Sequence, residues 1–160
     1  SWTVNLGVDA SAVGWTVVIF ACREAPSVLI RSVRAAAAAA RGKARVDVLV
    51  NGNPDLARAL CDYLSRQDGC DSQVAVRMWS IPLADKGNAW NQYVHQIWSS
   101  DTLVFFVDGY VRLNENALDL LGEAVENNEH VLGGTGVPSV GRTAAALRTD
   151  MLRNGGFHGN

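Results

Sequence analysis

The sequence has no apolar run long enough to cross a membrane. Its longest, Trp15 to Cys22, falls far short of the ~20 residues that a spanning helix needs. Ser1-Trp-Thr-Val has neither the basic start nor the cleavage pattern of a signal peptide; a membrane anchor could lie in segments outside this chain. Cysteine is also scarce: Cys22, Cys61 and Cys70 form no C-x-x-C pair, and three thiols cannot all pair within one chain. Reduced thiols in a cytoplasmic protein are the expectation. Neither sign of charge is in surplus, since 14 basic residues against 16 acidic ones give a formal net charge of −2. The one basic cluster, Arg41-Gly-Lys-Ala-Arg45, reads as a solvated turn, which makes nucleic acid an unexpected partner. No Ser-His-Asp constellation and no His/Cys metal-ligand spacing is present.

Two nucleotide patterns are near misses. Gly134-Thr-Gly136 has Ser139 where a dinucleotide fingerprint wants its third glycine, and Pro138 interrupts the turn. Gly136 to Thr143 has phosphate-loop spacing, but Arg142 replaces the lysine whose compact ammonium reaches the phosphates. A nicotinamide cofactor and a phosphate-loop hydrolase are both disfavoured.

What is present is a regular alternation. At 160 residues, nearly half of them apolar, the chain can bury one core and is expected to form a single domain. Trp2, Val4, Leu6 and Val8 suggest an arm or edge strand within residues 1–14. Trp15 to Phe20 reads as a buried strand, followed by a helix from Pro26 to about Ala40 that Gly42 stops. Val46 to Val50 is the second strand, and Asn51-Gly-Asn-Pro-Asp55 caps a helix with Leu56, Leu60 and Leu64 on one face, ended at Asp68-Gly69. Val74 to Met78 is the third strand; after Pro82 comes a helix with Trp90, Tyr93, Val94, Ile97 and Trp98 on a core-facing stripe. Thr102 to Val107 is an apolar strand that stops on Asp108-Gly109-Tyr110. Asn114 can cap a helix carrying Leu118, Leu121 and Val125; His130 to Gly133 begins a short strand, and Thr143 to Arg153 reads as a last helix in a glycine-rich tail. The alternation predicts an α/β fold, a mostly parallel sheet with helices on both faces. The tail offers no closing element, which suggests a protein that continues beyond Asn160.

In a parallel sheet the carboxyl ends of the strands lie along one edge, where ligands collect. Here those ends carry Phe20-Ala-Cys-Arg-Glu24, Asn51-Gly-Asn-Pro-Asp55, Asp85-Lys-Gly-Asn-Ala-Trp-Asn91 and Asp108-Gly-Tyr110. Amides, a lysine and carboxylates at one edge suit a ligand with a base, a ribose and phosphates. His95 and His130 read as structural or surface residues, whereas His158 lies in a glycine-rich loop of the kind that places functional groups.

With these motifs the chain resembles the family 2 glycosyltransferases of the Rossmann-like GT-A fold. Val17 to Glu24 is similar to the family's first strand with its P-x-Y-N-E ending, and Val48 to Asp55 to V-V-D-D-G-S-x-D. Asp85 to Asn91 is similar to G-K-x-x-A-L-N, and Thr102 to Leu113 to the strand ending in D-x-D. The resemblance implies an inverting transferase moving a sugar from a nucleotide-diphosphate sugar to an acceptor hydroxyl, with residues 134–160 on the acceptor side. It implies that Ala21, Arg23 and Glu24 line the nucleotide site, that Asn51 stands where an aspartate contacts the base, and that Lys86 lies near the diphosphate or base. Asp108, followed by Gly109, matches the first aspartate of D-x-D, facing the ribose and a manganese or magnesium ion. Tyr110 replaces the second aspartate, and a phenol is a poor ligand for a hard cation; either Asp108 together with the substrate diphosphate holds the metal, or a cation is dispensable. The acceptor's proton needs a general base. Glu115, Asp119, Glu123, Glu126, Glu129 and Asp150 mostly fall on solvated helix faces. Either the base lies beyond Asn160, or this is a non-catalytic nucleotide-sugar-binding or regulatory domain.

Overall fold

The computed structural model of the chain describes residues 15–66, 74, 76–97, 103–126, 133–135 and 144–148. Ten elements run β1 (Trp15–Ala21), α1 (Pro26–Ala40), β2 (Ala44–Asn51), α2 (Pro54–Ser65), β3 (Val76–Ile81), α3 (Lys86–Gln92), β4 (Leu103–Asp108), α4 (Ala117–Glu126), β5 (Gly133–Thr135) and β6 (Ala144–Arg148), with a π-helical turn, Tyr93–Ile97, continuing α3. They form an α/β fold around one sheet of order β3-β2-β1-β4-β6-β5. Strands β3, β2, β1 and β4 are mutually parallel, and β6 runs antiparallel to both β4 and β5.

The strand β1 explains the arrangement. Its Val-Val-Ile-Phe centre is buried on both faces, as expected of a strand flanked by parallel neighbours and covered by helices. Alternate residues sort to opposite sides. Val17, Ile19 and Ala21 join Val46, Val48, Phe105 and Val107 in a core covered by α1, α2 and α4. Val18 and Phe20 join Leu49, Val104 and Phe106 in a second core under α3 and its π turn. The alanine run of α1 buries Ala36, Ala39 and Ala40, and such short side chains let a helix approach a sheet closely. Pro26 opens this helix, where a missing N–H costs nothing, and Gly42 follows it at φ +72°.

Two expectations are corrected. The segment Thr143 to Arg153 reads from sequence as a helix, but Ala144–Arg148 is strand β6, paired along β4 from Val107↔Ala144 to Leu103↔Arg148. Helix propensity is a weak preference, which ladder hydrogen bonds on both sides override. The third strand was expected at Val74 to Met78 and instead runs Val76–Ile81, because its register with β2 carries on to Asn51↔Ile81. The arm in residues 1–14, the stop at Asp68-Gly69, Trp98, His130 and His158 lie outside the described residues.

The second core holds a polar cluster at its centre. Asp47 of β2 is fully buried. Arg77 donates to both its oxygens, Nε to Oδ1 and Nη2 to Oδ2, each at 2.8 Å, and the Tyr93 hydroxyl donates to Oδ2 at 2.8 Å. Arg45 Nε stands 3.8 Å from the same Oδ2. Arg77 also lies over the Trp79 ring, 4.8 Å from its centroid. A buried carboxylate is tolerable only when paired and hydrogen-bonded in this way. Burial, and then the neighbouring Asp47 charge, raise the Tyr93 pKa well above 10.0.

Asp47→Ala should therefore lower the unfolding free energy by about 3–5 kcal/mol in urea titrations, because it strands the Arg77 guanidinium. Tyr93→Phe should cost about 2 kcal/mol. Because the folded-state pKa of Tyr93 is raised, its contribution is complete below pH 10.0 and falls as pH rises past that value. The stability difference between wild type and Tyr93→Phe should shrink in that alkaline range.

Candidate functional site

The register of the sheet brings four strand ends to one edge. Ala21 pairs with Val50 and Phe20 with Asp108, while Asn51 pairs with Ile81. The loops that leave these ends surround a cleft of about 280 Å³ lined by Phe20, Ala21, Cys22, Arg23, Glu24, Asn51, Ala84, Lys86 and Asp108. Six residues singled out from sequence, Ala21, Arg23, Glu24, Asn51, Lys86 and Asp108, thus meet on one surface. Gly109 and Tyr110 are not lining residues; they follow Asp108 in the adjoining turn. Phe20, Cys22 and Ala84 line the cleft without having been picked out. Phe20 and Cys22 flank Ala21 in sequence, whereas nothing in the sequence marks Ala84.

Each wall is fixed by local chemistry. After β1 the chain turns back so that the Cys22 N–H donates to Glu24 Oε2 at 2.8 Å. Asn53 joins this turn to the next: its Oδ1 accepts from Leu56 N–H at 3.0 Å, capping α2, and its Nδ2 donates to the Cys22 carbonyl at 2.8 Å. Asp85 caps α3 by accepting from the N–H groups of Gly87 and Asn88, which sets Lys86 at the first helical position.

Two glycines permit the close approach of these turns. Gly52 has φ +60° and donates its N–H to the Ile81 carbonyl at 2.7 Å; a Cβ there would lie 2.4 Å from the Ala84 Cβ. Gly109 donates to the Phe20 carbonyl at 2.8 Å, and a Cβ on it would meet the Ala21 Cβ at 3.0 Å and Glu24 Cδ at 3.1 Å.

Two polar features face the cleft. Asn51 is only 3% exposed, and its Oδ1 is buried without a hydrogen-bond partner. Leaving such an acceptor unpaired costs about 1–3 kcal/mol. On the opposite side Lys86 Nζ donates to Asp108 Oδ1 at 2.7 Å, and the Tyr110 hydroxyl donates to Oδ2 at 3.2 Å. The Lys86 ammonium also stands 5.7 Å from the centroid of the Phe20 ring, which itself stacks near Phe106 and Trp90.

The described residues of the cleft offer a divalent cation few free carboxylate oxygens. Both oxygens of Asp108 are engaged, one Glu24 oxygen accepts a backbone N–H, and no group of three or more His, Cys, Asp or Glu side chains among the described residues could hold a metal. Tyr110 brings a phenol where a hard ion would want a second carboxylate. Of the acidic residues considered as a base, Asp119 is paired with Lys43 at 2.6 Å and does not line the cleft, and Glu115 and Glu123 are exposed. Glu129 and Asp150 lie outside the described residues. The phosphate-loop pattern Gly136 to Thr143 also lies outside them, but strand β6 begins at Ala144, where that motif requires a helix.

No protein-family model and no curated protein matches the sequence. Among solved structures, a mannosyltransferase from Pyrobaculum calidifontis in complex with GDP-Man and Mn2+ is similar at a TM-score of 0.73 and 14% identity, covering 92% of this chain and 48% of that one. S. aureus TarS is similar at 0.63 and 13% identity, covering 91% of this chain and 50% of that one. The 4-diphosphocytidyl-2C-methyl-D-erythritol synthase of Anaerococcus prevotii is similar at 0.62 and 10% identity, covering 89% and 76% respectively. The α/β fold is thus that of GT-A-like glycosyltransferases and of a nucleotidyltransferase. The chain spans about half the length of the first two of these solved chains, the second of which is TarS residues 1–349. No helix among the described residues is long and apolar enough to cross a membrane.

The two positive-φ glycines separate strain from crowding. Gly42, at φ +72°, has nothing within 4 Å of an added Cβ, so Gly42→Ala should cost only the left-handed backbone, about 1 kcal/mol. Gly52→Ala should cost about 2 kcal/mol more, because Ala84 must move as well. Chemical denaturation of the two variants measures the difference.

Proposed function

We propose that this chain forms the nucleotide-sugar-binding part of an inverting glycosyltransferase, with Ala21, Arg23, Glu24, Asn51, Lys86, Asp108, Gly109 and Tyr110 as its donor site. The observation that carries this reading is the cleft itself, which gathers an amide whose buried oxygen is unpaired, an ammonium and two carboxylates at the carboxyl edge of a parallel sheet. The complex of the similar mannosyltransferase with GDP-Man supports the choice of ligand class.

In this reading Asn51 hydrogen-bonds the base. Its amide presents both a donor and an acceptor, so it can pair with a base edge without adding charge. Asp108 lies towards the ribose and Lys86 towards the diphosphate. The reaction is a single displacement: an acceptor hydroxyl attacks the anomeric carbon, the bond from that carbon to the diphosphate oxygen breaks, and the nucleoside diphosphate leaves with the bonding electrons. The acceptor gives up its proton to a base, and attack opposite the leaving group inverts the anomeric centre. Positive charge beside the diphosphate stabilises what accumulates there.

One observation favours a second reading, in which the chain binds a nucleotide sugar without transferring it. Both oxygens of Asp108 are hydrogen-bonded, to Lys86 and Tyr110, and one Glu24 oxygen accepts from Cys22 N–H. Asp108 is therefore not disposed to take the acceptor's proton.

Calorimetric titration with a panel of UDP-, GDP- and TDP-sugars should show binding of at least one, and Asn51→Leu should weaken it about tenfold by removing the hydrogen-bonding amide. No binding across the panel would end both readings. Glycosyl transfer to an acceptor that is lost in Asp108→Ala would decide for the first over the second.

A further inference from the structure

We infer that the ammonium of Lys86, clamped by Asp108, provides the positive charge that holds the diphosphate, and that nucleotide binding at this site requires no divalent cation. This rests on the nucleotide-site reading above and goes beyond it in assigning the charge at the phosphates to the protein.

The first observation is that the Asp108 carboxylate is committed on both sides. Lys86 Nζ sits 2.7 Å from Oδ1 and the Tyr110 hydroxyl 3.2 Å from Oδ2. A cation entering there would have to displace an ammonium already at contact distance and a phenol proton. It would then find no second carboxylate from residue 110 and would depend on diphosphate oxygens and water for its remaining ligands. The second concerns Lys86. An ammonium carries three donors. One is used on Asp108, and the ammonium also lies over the face of Phe20, 5.7 Å from its centroid. The remaining donors are available to a ligand in the cleft that Lys86 lines.

The third observation is one of charge. Lys86 and Arg23 bring two positive charges to the cleft, against the carboxylates of Glu24 and Asp108. Without Lys86, Asp108 would turn an uncompensated negative charge towards an incoming diphosphate. The pair removes that repulsion, and Asp108 then positions the ammonium. Lys86 is more than half exposed at 57%, against 23% for Asp108. The pair on its own therefore contributes little to stability, and its role lies in where it holds the charge. Tyr110, through its bond to Oδ2, restrains the carboxylate that Lys86 grips.

The test is titration of the chain with UDP, GDP, CDP and ADP, once in excess EDTA and once with saturating manganese chloride. At least one nucleotide should bind with affinities that agree within about twofold between the two conditions, and Lys86→Met should weaken that binding by about tenfold or more in EDTA, as expected for loss of a charged hydrogen bond. Circular dichroism of Lys86→Met should match wild type, since the side chain is largely exposed. Tyr110→Asp, which frees Oδ2 and places two carboxylates two residues apart, should acquire an affinity that rises at least about fivefold with manganese. Binding that needs manganese in the wild type, or that is unchanged in Lys86→Met, overturns the inference and leaves the nucleotide site standing. Failure of every nucleotide under both conditions removes the site and the inference together.

Discussion

A carboxylate with no exposure to water sits in the middle of β2, and the placement of the cleft's lysine depends on how that charge is satisfied. Asp47 is neutralised by Arg77 from β3 and capped by the hydroxyl of Tyr93. The first contact ties the edge strand to its neighbour. The second ties the end of α3 to the sheet, and α3 begins at Lys86. A polar cluster at mid-strand therefore fixes the helix that presents an ammonium at the strand ends, with Trp90 packed on Phe106 at 4.2 Å between ring centroids along the way. Well-packed apolar residues could often replace such a cluster without loss of stability, but they would not specify the same rotation of α3 about its axis.

How much of this can be read from the sequence depends on the range of the forces involved. The helix α1 is legible to the residue because a proline, an alanine-rich run and a glycine act locally. β1 and β4 are legible because strands buried on both faces have to be continuously apolar. β6 is not: Ala144 to Leu147 has the composition of a helix, and only its partners β4 and β5 make it a strand. The end of β3 fails for a related reason. Arg77, Trp79 and Ile81 share a face with Leu49 and Tyr93, and that mixture of charge, aromatic and aliphatic residues carries no strand signature until Asp47 is known to lie opposite.

The cleft shows the same division. That the loops after β1, β2, β3 and β4 converge follows from the alternation of strands and helices, so Glu24, Asn51, Lys86 and Asp108 are brought together by topology alone. The contacts among them do not follow from topology. Lys86 and Asp108 are 22 positions apart, and only the tertiary fold closes them to 2.7 Å. Nor does the sequence reveal that the Asn51 side-chain oxygen is buried without a partner while Asn53, two residues on, uses both ends of its own amide. Two identical side chains in one turn are thus separated into a positioning group and a group left over for something else.

The double use of Asn53 has a consequence for the thermodynamics of ligand entry. One end of its amide caps α2 and the other holds the carbonyl of Cys22, so the turn after β1 and the start of α2 form a single hydrogen-bonded body. The freedom that these two segments would lose on gripping a ligand has already been given up during folding. Binding on this side of the cleft then carries a small ordering cost, and more of each new contact appears as affinity.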